Sequence, residues 1–501
     1  MNTDFVGLKS SAKISPFSGL RFPLTLGLLA LTLGLLIAAL PVQSAAAFLL
    51  GAIALAVAVW QPAVALGLAI ALGPTRAYLA ASGYAGLTYD LGQIFFGLAL
   101  VSWLARGALR REISLPRLGL LIPLSAFAFI GLLSLLNATD WRDGLTETIK
   151  WLEVIVVLII AYTEAQQGRL SWLLAAILIA GAVQAAMGLW QYGLRGLGPE
   201  SFELPGGHYR AYGTFEQPNP FGGFLGLIWP LPLGLALGIL DLRFRAPRFL
   251  PSSFFLLLLS AFLLSALYTS YSRGAWLGAA AAGMVMLIFY PRRWAHGLGL
   301  GLAAVGGAAL LLSSGLLPVS LTARLAGITD FLNVVDVRGL PITDANFAIV
   351  ERLAHWQAAL GMMRAQAWLG VGLGNYSAAY ANYALINWPL SLGHAHNIYL
   401  QMWAETGLLG LMAYLSIWLT ALALTVQAVR RASGWQRGLA LGLLGVWAHL
   451  LAHQAVDNLH VNNINLLLAV ELGVLCALPA VQHFSRLGDS APLHYNSGAV
   501  P

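Results

Sequence analysis

Charged side chains make up only 9% of this 501-residue chain, while 59% of it is hydrophobic and its mean hydropathy is +0.76. A soluble domain carries about a quarter charged residues. This chain therefore cannot clothe itself in a water-facing surface. Cysteine is nearly absent. The single Cys476 excludes an intrachain disulfide and, lying in an apolar run, reads as core filler. The short alternating segments of a β-barrel are missing, as are a convincing internal repeat and any RNA- or DNA-binding motif. The formal charge of +7 and pI of about 9.6 consequently do not point to nucleic acid. Most cations sit in short loops between apolar segments, where they orient a membrane protein.

Long apolar runs are what the chain does have. Leu24 to Leu40, Leu118 to Leu136, Leu170 to Trp190 and Gly297 to Leu312 each approach the ~20 residues that cross a bilayer as a helix. The expected class is an all-α polytopic membrane protein. Fourteen spans are expected, near 23–40, 45–60, 62–75, 90–105, 118–136, 148–163, 170–190, 218–240, 249–269, 274–290, 297–314, 396–421, 438–456 and 464–480. Gln61 and Pro62 interrupt the second and third, which could instead form one tilted helix. Lys9, Lys13 and Arg21 before the first run, with small residues after Pro41, resemble a signal peptide, but the run is long for one and reads as a retained span.

Charge parity separates the two counts. With two spans over 45–75, the N-terminal cations share a side with Arg106, Arg110, Arg111, Arg117, Arg243, Arg245, Arg248, Arg292, Arg293, Arg430, Arg431 and Arg437. Together with Arg169 and Arg486 these are seventeen of the 27 cations. A single span would turn the N-terminus the wrong way. Both termini are thus expected to be cytoplasmic. Two long loops then fall outside, 191–217 and about 315–395. Within the second, Ile349 to Leu369 carries apolar residues at helical spacing and predicts a lid-like helix. The expected organisation is an N-terminal membrane region over 1–200, a catalytic membrane region over 201–480 including the 315–395 loop, and a cytoplasmic tail over 481–501.

Several unusual residues gather on that outer side. Arg273 lies in TSYSRGAWLG, in a tight turn between spans. It is either an interface anchor or a fixed cation for an anionic ligand. Arg352, in ERLAHW, reads as part of a solvated helix face or as a second such cation. The run LGVGLGNY contains Gly370, Gly372, Gly374 and Asn375. It follows no strand of a βαβ unit, so it is no nucleotide fingerprint; the glycines permit a tight turn or close backbone approach. In TFEQPNPFGG, a proline is placed to open the eighth span. Gln217 and Asn219 stand at its start, with Asn219 a possible cap beside N–H groups that suit phosphate. His394 and His396 open HAHNIYLQMWAETGLLGL. As a metal pair they lack a nearby Cys, Asp or Glu in the sequence. His449 and His453 lie i, i+4 within a span and read as a hydrogen-bonded structural pair. Glu153, Glu405 and Glu471 also fall within spans and must find partners there.

The stretch from His396 resembles the bacterial O-antigen ligase family, the lipid-A-core:O-antigen ligase and O-antigen polymerase superfamily. The family pattern is His, then Asn, Ser or Gln, nine residues, Gly, two residues, then Gly, Thr or Tyr. Here it reads His396, Asn397, nine residues to Thr406, Gly407 and Gly410. The SRG turn at Ser272–Gly274, the QPN segment and the GVGLGN run are similar too, over roughly residues 210–480. The resemblance implies a GT-C-like glycosyltransferase of the bacterial inner membrane, acting at its periplasmic face without a metal or other cofactor. The implied donor is an undecaprenyl-diphosphate-linked glycan. The implied acceptor is a lipid A core hydroxyl or a similar saccharide. His396 is then the base and Arg273 and Arg352 hold the diphosphate. Asn397, His394, Asn219, Gln217, Gly372, Gly374 and Asn375 are expected to contact substrate. The family usually has twelve spans. Its other members imply two alternatives, an O-antigen polymerase or a protein O-oligosaccharyltransferase, and some related sequences have been called bicarbonate transporters. A transporter tends to show inverted repeats, which this chain does not.

Overall fold

The structure is a computed structural model that describes residues 51, 55–81, 90–111, 115–204, 206–240, 250–316, 322, 336–343, 346–479 and 481. The chain divides into two units, Met1–Trp60 and Gln61–Pro501. In the first, residues 51 and 55–60 are helical. The expected span 23–40 and nearly all of the tail lie outside the described residues.

The second unit is almost wholly helical. Its helices are α1 (Pro62–Leu72), α2 (Thr75–Ala81), α3 (Leu91–Arg110), α4 (Leu121–Ser134), α5 (Trp141–Glu164), α6 (Leu170–Gly193), α7 (Pro218–Ile228), α8 (Pro230–Leu240), α9 (Leu250–Thr269), α10 (Arg273–Phe289), α11 (Trp294–Ser313), α12 (Phe347–Ala365), α13 (Tyr376–Tyr380), α14 (Ile398–Arg431), α15 (Gly434–His453) and α16 (Ile464–Ala477). A two-residue hairpin, β1 (Glu203–Leu204) with β2 (His208–Tyr209), is antiparallel.

Among the described residues six helices are long and apolar enough to cross a membrane: Leu91–Arg110, Trp141–Gly193, Pro218–Leu240, Pro251–Thr269, Trp294–Ser313 and Ile398–Arg431. Shorter apolar helices accompany them. The protein is an all-α polytopic membrane protein. Every expected segment from 62–75 onward coincides with a helix or helix pair. The stretch 141–193 runs on as one helix in form, but Gly168, at φ 84, breaks it where the sixth and seventh spans were expected to part. Pro230 divides the eighth, because a proline cannot donate to the helical ladder.

Glycine sets how closely these helices pack. A Cβ at Gly234 would lie 2.3 Å from the Gly438 carbonyl oxygen, and one at Gly238 2.5 Å from that of Gly434. Thus α8 and α15 meet backbone to backbone through small residues four apart. Gly226 and Gly278 leave room for the His449 ring, and Gly223 and Gly274 for that of His453. The two rings are a buried pair, His453 Nδ1 3.4 Å from His449 Nε2, as read from their spacing.

Helix α14 is interrupted in its third turn. Gly407 takes φ 68, and a Cβ there would lie 2.0 Å from the Trp368 carbonyl carbon. Segment 367–372 lies against the break. The Leu408 N–H donates to Ala367 O at 2.8 Å, while Val371 and Gly372 donate to Ala404 O and Glu405 O, each at 2.9 Å. Gly407 therefore admits a loop backbone, where the sequence suggested a helix or lipid tail. The buried carboxylates meet different ends. Glu405 accepts from the Gly374 and Tyr376 N–H groups, each at 3.0 Å, and Glu153 from Gln93. Glu471, fully buried, has no hydrogen-bond partner at either oxygen, so the expectation of a partner fails there.

Candidate active site

The site is built where α14 begins. Asn397 is its N-cap, and its side chain accepts from the Tyr399 and Leu400 N–H groups at 3.0 and 3.1 Å. A residue that caps in this way must be preceded by a sharp entry. His396 supplies it with φ 52, a left-handed conformation uncommon outside glycine. Its N–H donates to His394 Nδ1 at 3.1 Å. That nitrogen is an acceptor, so the His394 proton resides on Nε2 when the ring is neutral. The two rings stand edge to face at 4.2 Å.

The start of α14 is tied to the end of α15. The Ile398 N–H donates to Gln454 O at 3.0 Å, and the Tyr399 hydroxyl to Leu451 O at 2.8 Å. This docking carries Asp457 to His396, with Nδ1 and Oδ1 3.6 Å apart. Asp457 is 6% exposed and also accepts from the Asn458 N–H at 2.9 Å. Burial pushes its carboxyl up. The contact with His396 and the nearby charges of His394, His396 and Arg352 outweigh that and hold it well below the usual carboxylate range. Neither ring nitrogen of His396 has a hydrogen-bond partner. With Nδ1 facing a carboxylate, Nε2 is the nitrogen left to act on a substrate.

Helix α12 covers this cluster and forms where the periodicity predicts. Arg352 and His355, three residues apart, share a face. The Arg352 guanidinium acts electrostatically on both His394 and Asp457. His355 lies edge to face with His396 at 5.9 Å, stacks on Tyr380 at 4.8 Å, and places Nδ1 3.1 Å from the Tyr376 hydroxyl. Burial, reinforced by neighbouring histidine charge, lowers both His355 and His394 to about 4, so both are neutral near pH 7.

Arg273 opens α10, behind the N-cap Ser272, which accepts from the Ala275 N–H at 3.3 Å. The next residue, Gly274, abuts the His453 ring, one turn before Asp457. Arg210, which the sequence gave no reason to single out, fixes this corner. It donates to Ser270 O at 2.9 Å, Asn219 Oδ1 at 3.1 Å and Tyr271 O at 3.4 Å. Asn219 is therefore not the cap that the sequence suggested. Gln217 holds the N-cap position of α7, exposed and making no side-chain cap bond.

Gly372, Gly374 and Asn375 stand one layer away from the histidines. Asn375 is fully buried, its Oδ1 accepting from the Asp140 N–H at 2.6 Å and its Nδ2 donating to Asp140 O at 2.9 Å. Gly374 donates to Glu405, and Gly372 (φ 106) packs on Ala138. They shape the segment that carries Tyr376, and through it His355.

Sequence distance hid the acid. Asp457 lies 61 positions beyond His396, and only its i+4 offset from His453 hinted that it shares that helix end. His394, His396 and Asp457 could also ligate a metal, each offering a donor atom within 4.8 Å of the others. The positive charge of Arg352 beside two of them opposes a second cation there.

No curated protein matches this chain. The match to a family of known proteins covers 222–415, a shorter stretch than the 210–480 over which the motifs were traced, and leaves Gln217, Asn219 and Asp457 outside it. Residues 222–415 match the family described as O-antigen ligase, and with Arg273, Arg352 and the His396–Gly410 pattern inside that range the membrane protein carries an O-antigen ligase domain.

Proposed function

We propose that this protein transfers a glycan from an undecaprenyl-diphosphate carrier to an acceptor hydroxyl, on a lipid A core or similar saccharide, at the periplasmic face of the inner membrane. The family supports glycosyltransferase-type ligase activity at a general level. The observation that carries the finer reading is the meeting of His396, Asp457 and Arg352 at the start of α14.

The chemistry follows from the arrangement. Asp457 holds the His396 Nδ1 proton, so Nε2 takes the proton of the acceptor hydroxyl. That oxygen attacks the anomeric carbon and forms the new glycosidic bond. The bond from that carbon to the phosphate oxygen breaks, and its electron pair leaves with the lipid diphosphate. Arg352 and Arg273 receive the growing charge through fork-like hydrogen bonds. A base of this kind contributes about 10²–10⁴-fold. Fixed cations at developing charge contribute several kcal/mol more. Single displacement inverts the anomeric centre. Asn397 serves as the cap that sets the His396 turn, and His394 as the neighbour that braces it.

A polymerase or protein O-oligosaccharyltransferase would use the same machinery with another acceptor. An anion transporter would not need a base aligned by a buried acid. Purified protein in nanodiscs, given undecaprenyl-diphosphate glycan and a panel of saccharide and peptide acceptors, should yield the glycosylated saccharide. Anion uptake into proteoliposomes lacking a donor, with no transfer to any acceptor, would overturn this reading.

A further inference from the structure

A polar cavity of about 480 Å³ lies beside the histidine cluster, within the size range of small-molecule sites. None of His394, His396 or Arg352 lines it. The segment between α15 and α16 joins the two places: Asp457 at one end faces His396, and His460 to Asn463 at the other form a cavity wall.

Its lining points to the chemistry of an occupant. Arg76 and Lys150 are balanced by Asp90 and Glu153, so a strongly charged ligand of either sign would meet like charge. The polar groups are held in place by one another. Asn463 Nδ2 donates to Asp90 Oδ1 at 2.8 Å, and Gln93 Nε2 to Glu153 Oε2 at 3.1 Å and to Asn463 Oδ1 at 3.0 Å. Such a network is preorganised and loses little freedom on binding. Asn465, on the same wall, is only 8% exposed and its Nδ2 has no hydrogen-bond partner. A buried amide donor without a partner is unfavourable by about 1–3 kcal/mol, and an acceptor supplied by an occupant relieves it. Sugar hydroxyls both donate and accept, carry no charge, and match a wall of mixed amides, carboxylates and cations.

We infer that this cavity is a saccharide subsite and that it seats the acceptor glycan on the far side of the Asp457 segment from the donor diphosphate. The assignment to the acceptor rests on the transfer reading above; the assignment to a saccharide does not. The test uses the full chain in nanodiscs, with neutral glucose- and galactose-based tri- to pentasaccharides as probes. Binding of the panel to wild type should be measurable, and Asn465→Ala should weaken it about tenfold, the loss of one good hydrogen bond. In the transfer assay, Asn465→Ala should raise the acceptor KM by about the same factor without moving the donor KM. Lys150→Met, on the cavity's more exposed rim, should act in the same direction and guards against an Asn465 variant that misfolds. A rise in donor KM instead overturns the acceptor assignment. Saccharide binding that neither folded variant changes, or no binding at all, overturns the subsite and leaves a water-filled cavity. If wild type transfers nothing, the transfer reading fails, while the binding arm still decides whether the cavity takes a sugar.

Discussion

His396 and Asp457 divide one task. The imidazole accepts a proton, and the carboxylate decides which nitrogen is free to do so. Asp457→Asn keeps the shape but replaces a proton acceptor with an amide that can present its own N–H to Nδ1. Its kcat should fall about a hundredfold or more with the donor KM little changed, within the range that base catalysis contributes. An unchanged kcat would remove Asp457 from the mechanism. His394 and His355 give a pH prediction. Each has an ordinary value of 6.5 and is held at about 4 when folded. On acidification the unfolded chain takes up these protons first, so folded stability is full above about 6.5 and declines towards 4. Melting temperature in detergent should fall across that window, and the fall should shrink in His355→Gln. An equally steep decline in that variant would contradict the assignment. The sequence shows His396 because it heads a spaced pattern through Gly407 and Gly410. It leaves Asp457 and Arg210 unremarked, because their roles arise only when distant segments dock.

At the scale of elements, glycines decide what can approach what. The break in α14 exists because Gly407 reaches φ 68 and admits the 367–372 backbone. Gly407→Ala adds a Cβ into a carbonyl and a side chain to a left-handed conformation. The expected loss is about 3 kcal/mol or more, from overpacking combined with backbone strain, and should appear as a sharply lower yield of folded protein. A variant that melts like wild type would show that the turn has room. Helix α12 was legible from its apolar spacing, and the cap at Asn397 from its place before an apolar run. The GVGLGN run was not legible in the same way. Its sequence suits a ligand loop, yet Asn375 and Gly374 spend their polar groups on Asp140 and Glu405. Nothing in a linear pattern reveals which neighbour a buried amide finds. The cap assigned to Asn219 failed for a related reason, since the incoming Arg210 side chain takes its oxygen.

For the whole molecule, scarcity of charge and the length of the apolar runs were enough to give a polytopic helical membrane protein. The family followed from one motif and the turn at Arg273. What composition cannot supply is convergence: the site draws on α10, α12, the entry to α14 and the exit from α15, separated by up to 184 positions between Arg273 and Asp457. The central claim is that this cluster transfers a glycan by a histidine base and arginine charge, without a metal. The direct measurement is the transfer rate of purified wild type and His396→Ala from undecaprenyl-diphosphate glycan, each with and without chelator. The account predicts a chelator-insensitive wild type and a variant slowed by at least about a hundredfold. A His396→Ala enzyme working at the wild-type rate, or activity abolished by chelator and restored by one metal ion, would contradict it.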